Sequence, residues 1–450
     1  MRLALTQSQR GERRATAVRA HRGPYRADRR GAASRPVIVA SSVLALALAA
    51  AGCGSSSGNS SGKTTLTEID WYTSGGSSAA VQWYNKRFEA SHPGVTVKRQ
   101  VVPSTSYLPK ILQQASAQVL PSIVMVDNPN VQQMAATGQL RVFNGLPGFT
   151  TKGYYPASAR ECLYQGKYYC YPIGDNTVGI FYNKKMLAAK HLQPPATWAQ
   201  LVADAKALTT NGVHGFAFSA TQDENSTFQF EPYFWSNGAD LSKVNSAGSV
   251  QALNLWATMV KNGSVSKSVL QWPQFPDLYE QFAHGSAAMI ENGPWILPNL
   301  ASAGWKYGKQ YGIVPIPVPS SGRQVVTPVG GETWALANSG GSQQQKLAWE
   351  WLQGLQRPSV MTHVAALMNY LPPKPAVAAQ VAKADPAFAV FAKELATARP
   401  RTTVYGANYT KVSQAISTAI QSAVTGSASP SAALARAQAT IAAIPQIKGG

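Results

Sequence analysis

The chain has 450 residues, 45% hydrophobic and 13% charged, with 11 Trp, 18 Tyr and 13 Phe. That is core material for two or three compact lobes and excludes disorder of the bulk. The formal charge of +20 is lopsided, because residues 1–36 hold ten Arg and no Lys against Glu12 and Asp28. Elsewhere Lys and Arg are scattered, which argues against a nucleic-acid partner, and three cysteines exclude a disulfide-dense scaffold.

Val37 to Ala51 is an uncharged apolar run of fifteen residues, short of the roughly 20 a spanning helix needs. Basic start, apolar middle and small residues at the end predict a signal peptide over 1–52. No later uncharged apolar run reaches membrane length. Ala50-Ala51-Gly52-Cys53 resembles the lipobox of bacterial lipoproteins, with Ala50 where Leu is usual. That resemblance implies lipid on Cys53, export, and anchoring to the outer face of the membrane. Residues 53–65 then form a lipid-anchored, Gly/Ser-rich flexible tether with an end-to-end distance of roughly 20 Å.

The mature chain alternates. Leu66–Tyr72 predicts a strand, Ala79–Ser91 a helix with Val81, Tyr84 and Phe88 inward, and Val95–Val102 a β-branched strand. A helix near 106–118 and a buried strand at Ile123–Val126 follow. Strand–helix–strand at this spacing implies parallel pairing with helical crossovers, hence an α/β lobe. Glu161 to Cys170 predicts a hairpin turning at Gly166, with Cys162 and Cys170 opposed and, in an exported protein, joined. A second series has strands at 178–182 and 215–219 and helices at Thr197–Leu208, near 228–237 and at Gly248–Asn262. Strands near 286–290 and 311–314 lead to a Gly-punctuated stretch, Val329–Leu336, and the last quarter is mainly helical. Ser429-Pro430 opens the final helix with a cap and Pro in the first turn.

Several segments resemble the extracellular solute-binding proteins of bacterial ABC importers, the sugar-binding class that includes maltose-binding protein. They are Gly179–Leu187, Pro195–Leu201, Phe282–Met289 with Gly293-Pro294-Trp295, Val329–Glu332, Trp349–Leu352 ending at Arg357-Pro358-Ser359, and Thr425-Gly426 through Leu434. The resemblance spans roughly 66–445 in the family's order. It implies a periplasmic-binding-protein-like α/β fold, two lobes joined by hinge segments around a ligand cleft. Lobe one is expected at 66–174 plus 337–372, lobe two at 178–328 plus 373–450. The crossings are expected near Ile173–Thr177, Pro328–Gly331 and Leu371–Lys374.

Catalytic signatures are weak. Gly54-Ser55-Ser56-Ser57-Gly58 matches G-x-S-x-G but lies in the tether, and Gly62-Lys63-Thr64 lacks the upstream glycine of a phosphate loop. No H-E-x-x-H occurs, no metal set has ligand spacing, and no cofactor is called for. Binding without catalysis is the expectation, with a carbohydrate as ligand, permease subunits as partner and a monomeric state. A sugar needs aromatic faces for its C–H surface and planar polar groups for its hydroxyls.

Candidate contacts sit at strand ends and crossings. They are Tyr72, Thr73 and Ser74 after the first strand, Asp127 and Asn128 after the buried strand, and Asp175 and Asn176 at the first crossing. Asn176 falls where the maltose-binding member carries a cleft carboxylate, and Trp295 matches the family's stacking Trp. Glu332 and Trp334 at the second crossing, Trp235, Tyr405 and Tyr409 complete the set, while Trp83, Trp198, Trp256, Trp349 and Trp351 fall in packing positions. Two alternatives stay open: the same fold with a polyamine, glycerol phosphate or peptide, and a secreted carbohydrate-active enzyme. Stacked faces would mark a sugar site and several carboxylates a polyamine site.

Overall fold

The structure, a computed structural model, describes residues 63–447. The predicted signal peptide, Cys53 and nearly all of the tether therefore lie outside the described residues.

Strands β1 (Thr64–Asp70), β2 (Val95–Val101) and β3 (Ile123–Asp127) alternate with helices Gly75–Ser91 and Ser104–Ser116. β1 pairs in parallel with both β2 and β3, as strands joined by helical crossovers must. The first helix buries Val81, Tyr84 and Phe88, and the Tyr84 hydroxyl donates to the Trp351 carbonyl at 2.5 Å. β3 buries four apolar residues in a row and ends on the polar Asp127. The short strands β4 (Leu163–Tyr164) and β5 (Lys167–Tyr168) turn through Gln165 and Gly166, both at positive φ, the backbone of a tight two-residue hairpin. Cys162 and Cys170 flank it and are disulfide-bonded, with their Cα atoms 5.2 Å apart.

β6 (Cys170–Asn176), β7 (Gly179–Asn183), β8 (Met289–Asn292), β9 (Tyr311–Val314) and β10 (Gly330–Leu336) complete two sheets. The first runs β2-β1-β3-β10-β6, with β10 antiparallel to both neighbours, and the second is antiparallel, β8-β7-β9. The expected strand at 215–219 makes only isolated parallel bridges, His214 to Ala287 and Ala217 to Ile290. The helix expected near 228–237 begins earlier, at Glu224, because the Asp223 side chain caps it by accepting from the Asn225 N–H.

Two hydrophobic cores form. One gathers residues from Leu66 to Ile173 with Trp334 to Tyr370, and the other gathers Val178 to Val329 with Leu371 to Ile441. The packing departs from the expected boundaries at three places, one of them Leu371, which lies in the second core although the expected lobe one runs to 372. Tyr155 and Ala157 join the second core, while Trp334, Ala335 and Leu336 join the first. The segments between the cores bond to one another. Asp175 and Leu371 exchange backbone hydrogen bonds at 2.7 and 2.9 Å, and the Thr177 hydroxyl donates to the Pro328 carbonyl at 2.8 Å. Gly331 takes φ +122°, and a Cβ there would lie 2.1 Å from the Gly174 carbonyl oxygen. Only glycine lets β10 approach β6 this closely. Among the described residues no helix is long and apolar enough to cross a membrane.

Candidate functional site

The parallel strands of the first sheet place their carboxyl ends, and the start of β10, along one edge. Glu332 stands opposite Asp127 in the β10–β3 register and Gly330 opposite Asn176 in the β10–β6 register. In open α/β sheets this edge is where ligands bind. A cavity of about 380 Å³ opens there, within the roughly 300–1,000 Å³ of small-molecule sites.

Lobe one supplies Trp71, Ser104, Asp127, Asn176, Glu332 and Tyr370 to its wall. The turn carrying Trp71 is fixed from below by a buried ion cluster. The Arg99 guanidinium grips Asp70 with two bonds at 2.5 and 2.7 Å and donates to the Tyr72 carbonyl at 2.7 Å. Such a planar fork holds a carboxylate in one orientation. Trp71 meets Tyr107 edge to face at 5.4 Å, so its ring is braced from behind.

The opposite wall comes from Glu224, Asn225 and Phe228 on the helix Glu224–Ser236, from Gln274 and Phe275, and from Trp295. Gly293 is required by the aromatic: a Cβ on it would sit 1.9 Å from the Trp295 ring, which folds back over that position. Trp295 packs against both cores, so it stands where the lobes meet.

Arg401 is the centre of charge. It donates to Glu224 at 2.5 Å and to the Asn128 side-chain amide oxygen, and its guanidinium covers Phe228 with 4.8 Å to the ring centroid. Its backbone N–H and the Thr402 hydroxyl both donate to Glu161 at 2.6 Å. Burial pushes the Glu161 carboxyl up to about 7, against the pull of Arg401, and the Asp127 carboxyl up to about 6, again opposed by Arg401. Glu332 rises further, to about 8, through burial and then the Asp127 charge, although the Tyr370 hydroxyl donates to it at 3.1 Å. At neutral pH the cavity thus presents one guanidinium matched by Glu224, Asp127 ionised and Glu332 largely neutral. The wall offers aromatic faces and, apart from the Asp127 carboxylate, uncharged or paired polar groups, the equipment for gripping a neutral, hydroxylated molecule.

Of the residues singled out from the sequence, Asp127, Asn176, Trp295 and Glu332 line the cavity. Asn128 and Asp175 are buried just behind it, Asn128 holding Arg401 and Asp175 accepting from the Ser158 hydroxyl. Tyr72 is also buried, beneath the wall beside Glu332, and Thr73 is exposed outside the lining. Trp235 is packed in the second core rather than facing ligand, since its helix buries nearly every side chain. Trp334 is likewise core: it lies two residues deeper along β10 than Glu332 and meets Trp351 edge to face at 5.2 Å. Tyr405 lies in the second core and borders a separate cavity with Gln132 and Arg160. Tyr409 reaches Glu224 and Glu231 at 2.9 and 3.1 Å from behind the wall.

Sequence reasoning missed Trp71, one residue before Tyr72, although the end of a predicted strand marks both. It missed Glu224 because the helix start was placed too late, and Phe228 was not singled out although the expected helix began there. Tyr370 and Arg401 carry no local signal. Among the described residues no three His, Cys, Asp or Glu side chains could together hold a metal ion.

Two α/β lobes around such a cleft define a two-lobed binding protein. The profile of the bacterial extracellular solute-binding proteins matches residues 83–390, most of the chain, and the chain belongs to that family. Its relatives include a putative binding protein of Brucella abortus, 24% identical over 53% of this chain. The chain spans 59% of the length of that relative. The maltodextrin-binding protein MdxE of Bacillus subtilis is 23% identical over 70% of this chain and 75% of its own length. Among solved structures, maltose-bound MalE3 of T. maritima superposes with a TM-score of 0.76 at 21% identity, covering 84% of this chain and 99% of that one. The GacH receptor of Streptomyces glaucescens gives 0.72 at 23% identity, covering 84% and 97%. At these identities the structural likeness shows the fold.

Proposed function

We propose that the chain is the lipid-anchored, monomeric binding protein of an ABC importer, capturing a neutral carbohydrate in the cleft and delivering it to the permease. The observation that carries the ligand class is the pairing of aromatic faces (Trp71, Trp295, Tyr370) with polar groups whose one guanidinium is already matched by Glu224. Relatives described as maltodextrin- and maltotriose-binding proteins, and an ABC transporter extracellular-binding protein of Pyrococcus horikoshii, support it. Capture would proceed by closure of the lobes over the sugar, with no covalent step. The residues that would touch it are Trp71, Asp127, Asn176, Trp295 and Glu332 from the lining, with Arg401 orienting Glu224. The presence of Asp127, Glu224 and Glu332 together favours a second reading, a polyamine. It requires Glu332 to ionise against burial, which the sugar reading does not.

Calorimetric titration with neutral mono- and oligosaccharides beside spermidine tests this. A sugar should bind, and Trp295→Ala should weaken it at least about tenfold, the usual scale of a lost aromatic anchor. Apo melting should change little, because the ring lines a cleft. Spermidine binding with no sugar binding would replace the ligand class. Intact sugar affinity in folded Trp295→Ala would remove that residue from the site.

A further inference from the structure

A second feature stands apart from the cleft, on the outer helical face of lobe one. An open groove of about 550 Å³ is lined by Trp83, Lys86, Arg87, Ala90, Ser91 and Arg357. Lys86, Arg87 and Arg357 are exposed, and among the described residues none of them is in an ion pair. The nearby acids are engaged elsewhere. Glu89 accepts the Val97 N–H at 2.7 Å, and Glu350 is bridged to His92 at 3.6 Å and Lys346 at 3.9 Å. Trp83 forms an aromatic floor, with the Arg87 guanidinium 5.7 Å from its ring centroid and the His363 ring at 4.1 Å.

The position of this groove relative to the tether is what gives it a partner. The described chain begins at Lys63, and the Thr64 N–H donates to the Gly94 carbonyl at 2.9 Å. Thr64 therefore lies beside the turn that follows Ser91, the last residue of the helix carrying the groove. Nine residues lie between Cys53 and Lys63, and a Gly/Ser chain of that length spans roughly 17 Å. The cleft is at the other end: β1 runs roughly 20 Å from Thr64 to Asp70 before Trp71 enters the cavity wall. A membrane surface at the anchor is thus closer to the groove than to the cleft.

We propose that this groove is a contact surface for the anionic phospholipid headgroups of the membrane that holds the anchor, parking lobe one on the bilayer with the cleft at the far end. Three unpaired cations match a negative surface whose potential fades within a Debye length, about 8 Å at physiological salt. Trp83 supplies the amphipathic ring suited to headgroup depth. The acyl chains on Cys53 would hold the protein at the surface by themselves, and the basic patch would set its orientation there. The proposal rests on the reading of Cys53 as acylated. It gives the tether a second role, because delivery then requires the lobe to let go of the headgroups and reorient.

The test uses the acylated protein reconstituted on vesicles, with a dye on Ala90→Cys in the groove or on Ser302→Cys in lobe two, and lipid-borne quencher. On phosphatidylglycerol-containing vesicles the groove dye should be quenched about fivefold or more above its level on pure phosphatidylcholine, and the lobe-two dye should not. High salt, or Lys86→Glu with Arg87→Glu and Arg357→Glu, should abolish the difference while the protein stays on the vesicles. Equal quenching on both vesicles, or quenching that ignores salt, would overturn the contact. So would protection of the groove dye from a soluble quencher that follows protein concentration without vesicles, which marks a second copy as the occupant. Loss of the unmodified protein from neutral vesicles in high salt would instead sink the acyl anchor, so the two failures are told apart.

Discussion

Glu332 and Asp127 stand opposite each other on neighbouring antiparallel strands, where like charges repel most strongly. Burial already disfavours ionising Glu332, and its second carboxyl oxygen, also buried, has no hydrogen-bond partner. The folded protein therefore holds a proton on Glu332 up to about pH 8, while the unfolded chain releases it near 4.5. Its contribution to stability is complete below about 4.5, declines through that window, and is lost as pH rises through 8. Glu332→Gln keeps the acceptor for Tyr370 and removes the titration. We expect it to be more stable than the parent at pH 8, by roughly 4 kcal/mol, and to differ by less than about 1 kcal/mol near pH 5. Melting curves across pH decide this, and a constant offset would mean that Glu332 is not the titrating group. A buried proton of this kind was not legible in the sequence. Glu332 could be named from its place in Val329–Glu332, but its pairing with Asp127 depends on a register between strands some 200 residues apart.

At the scale of elements, local grammar was legible and reach was not. Capping at Ser429-Pro430, the strand at Ile123–Val126 and the hairpin turning at Gly166 are written within a few residues, and the structure contains each. The hairpin's disulfide encloses so few residues that the loop-closure estimate gives it about 2–3 kcal/mol. Cys162→Ser with Cys170→Ser should therefore lower melting modestly and leave ligand affinity intact, since neither cysteine lines the cavity. A collapse of affinity in the folded double variant would show that the hairpin shapes the cleft. By contrast, nothing in the stretch from Ala396 to Asn408 announces that it ties the lobes together. Arg401 and Thr402 reach Asn128, Gln132 and Glu161, contacts that exist only after both lobes have folded.

For the whole molecule, the proposed closure would depend on segments that bend where the two cores part. Gly331 is the point at which a side chain is least tolerable, given its φ of +122° and the Gly174 carbonyl 2.1 Å from any Cβ. Gly331→Ala should cost about 1–3 kcal/mol of apo stability and blunt the ligand-driven compaction seen by small-angle scattering. Identical compaction and affinity would mean that the lobes move about another segment. The sheet order carries a different consequence, one of timing. β10 is wedged between β3 and β6, so the inner edge of β3 and the whole of β6 lack partners until residue 336 is made. At about 5–20 residues per second, the roughly 200 residues after β3 take on the order of 10–40 s to synthesise. Throughout that interval the apolar edge Ile123–Val126 stands open to any holding chaperone, and the second lobe cannot finish either, because its core waits for Ile441. The first core is complete at Tyr370 and the second only at Ile441, so both halves of the molecule are finished late, in the last quarter of the chain.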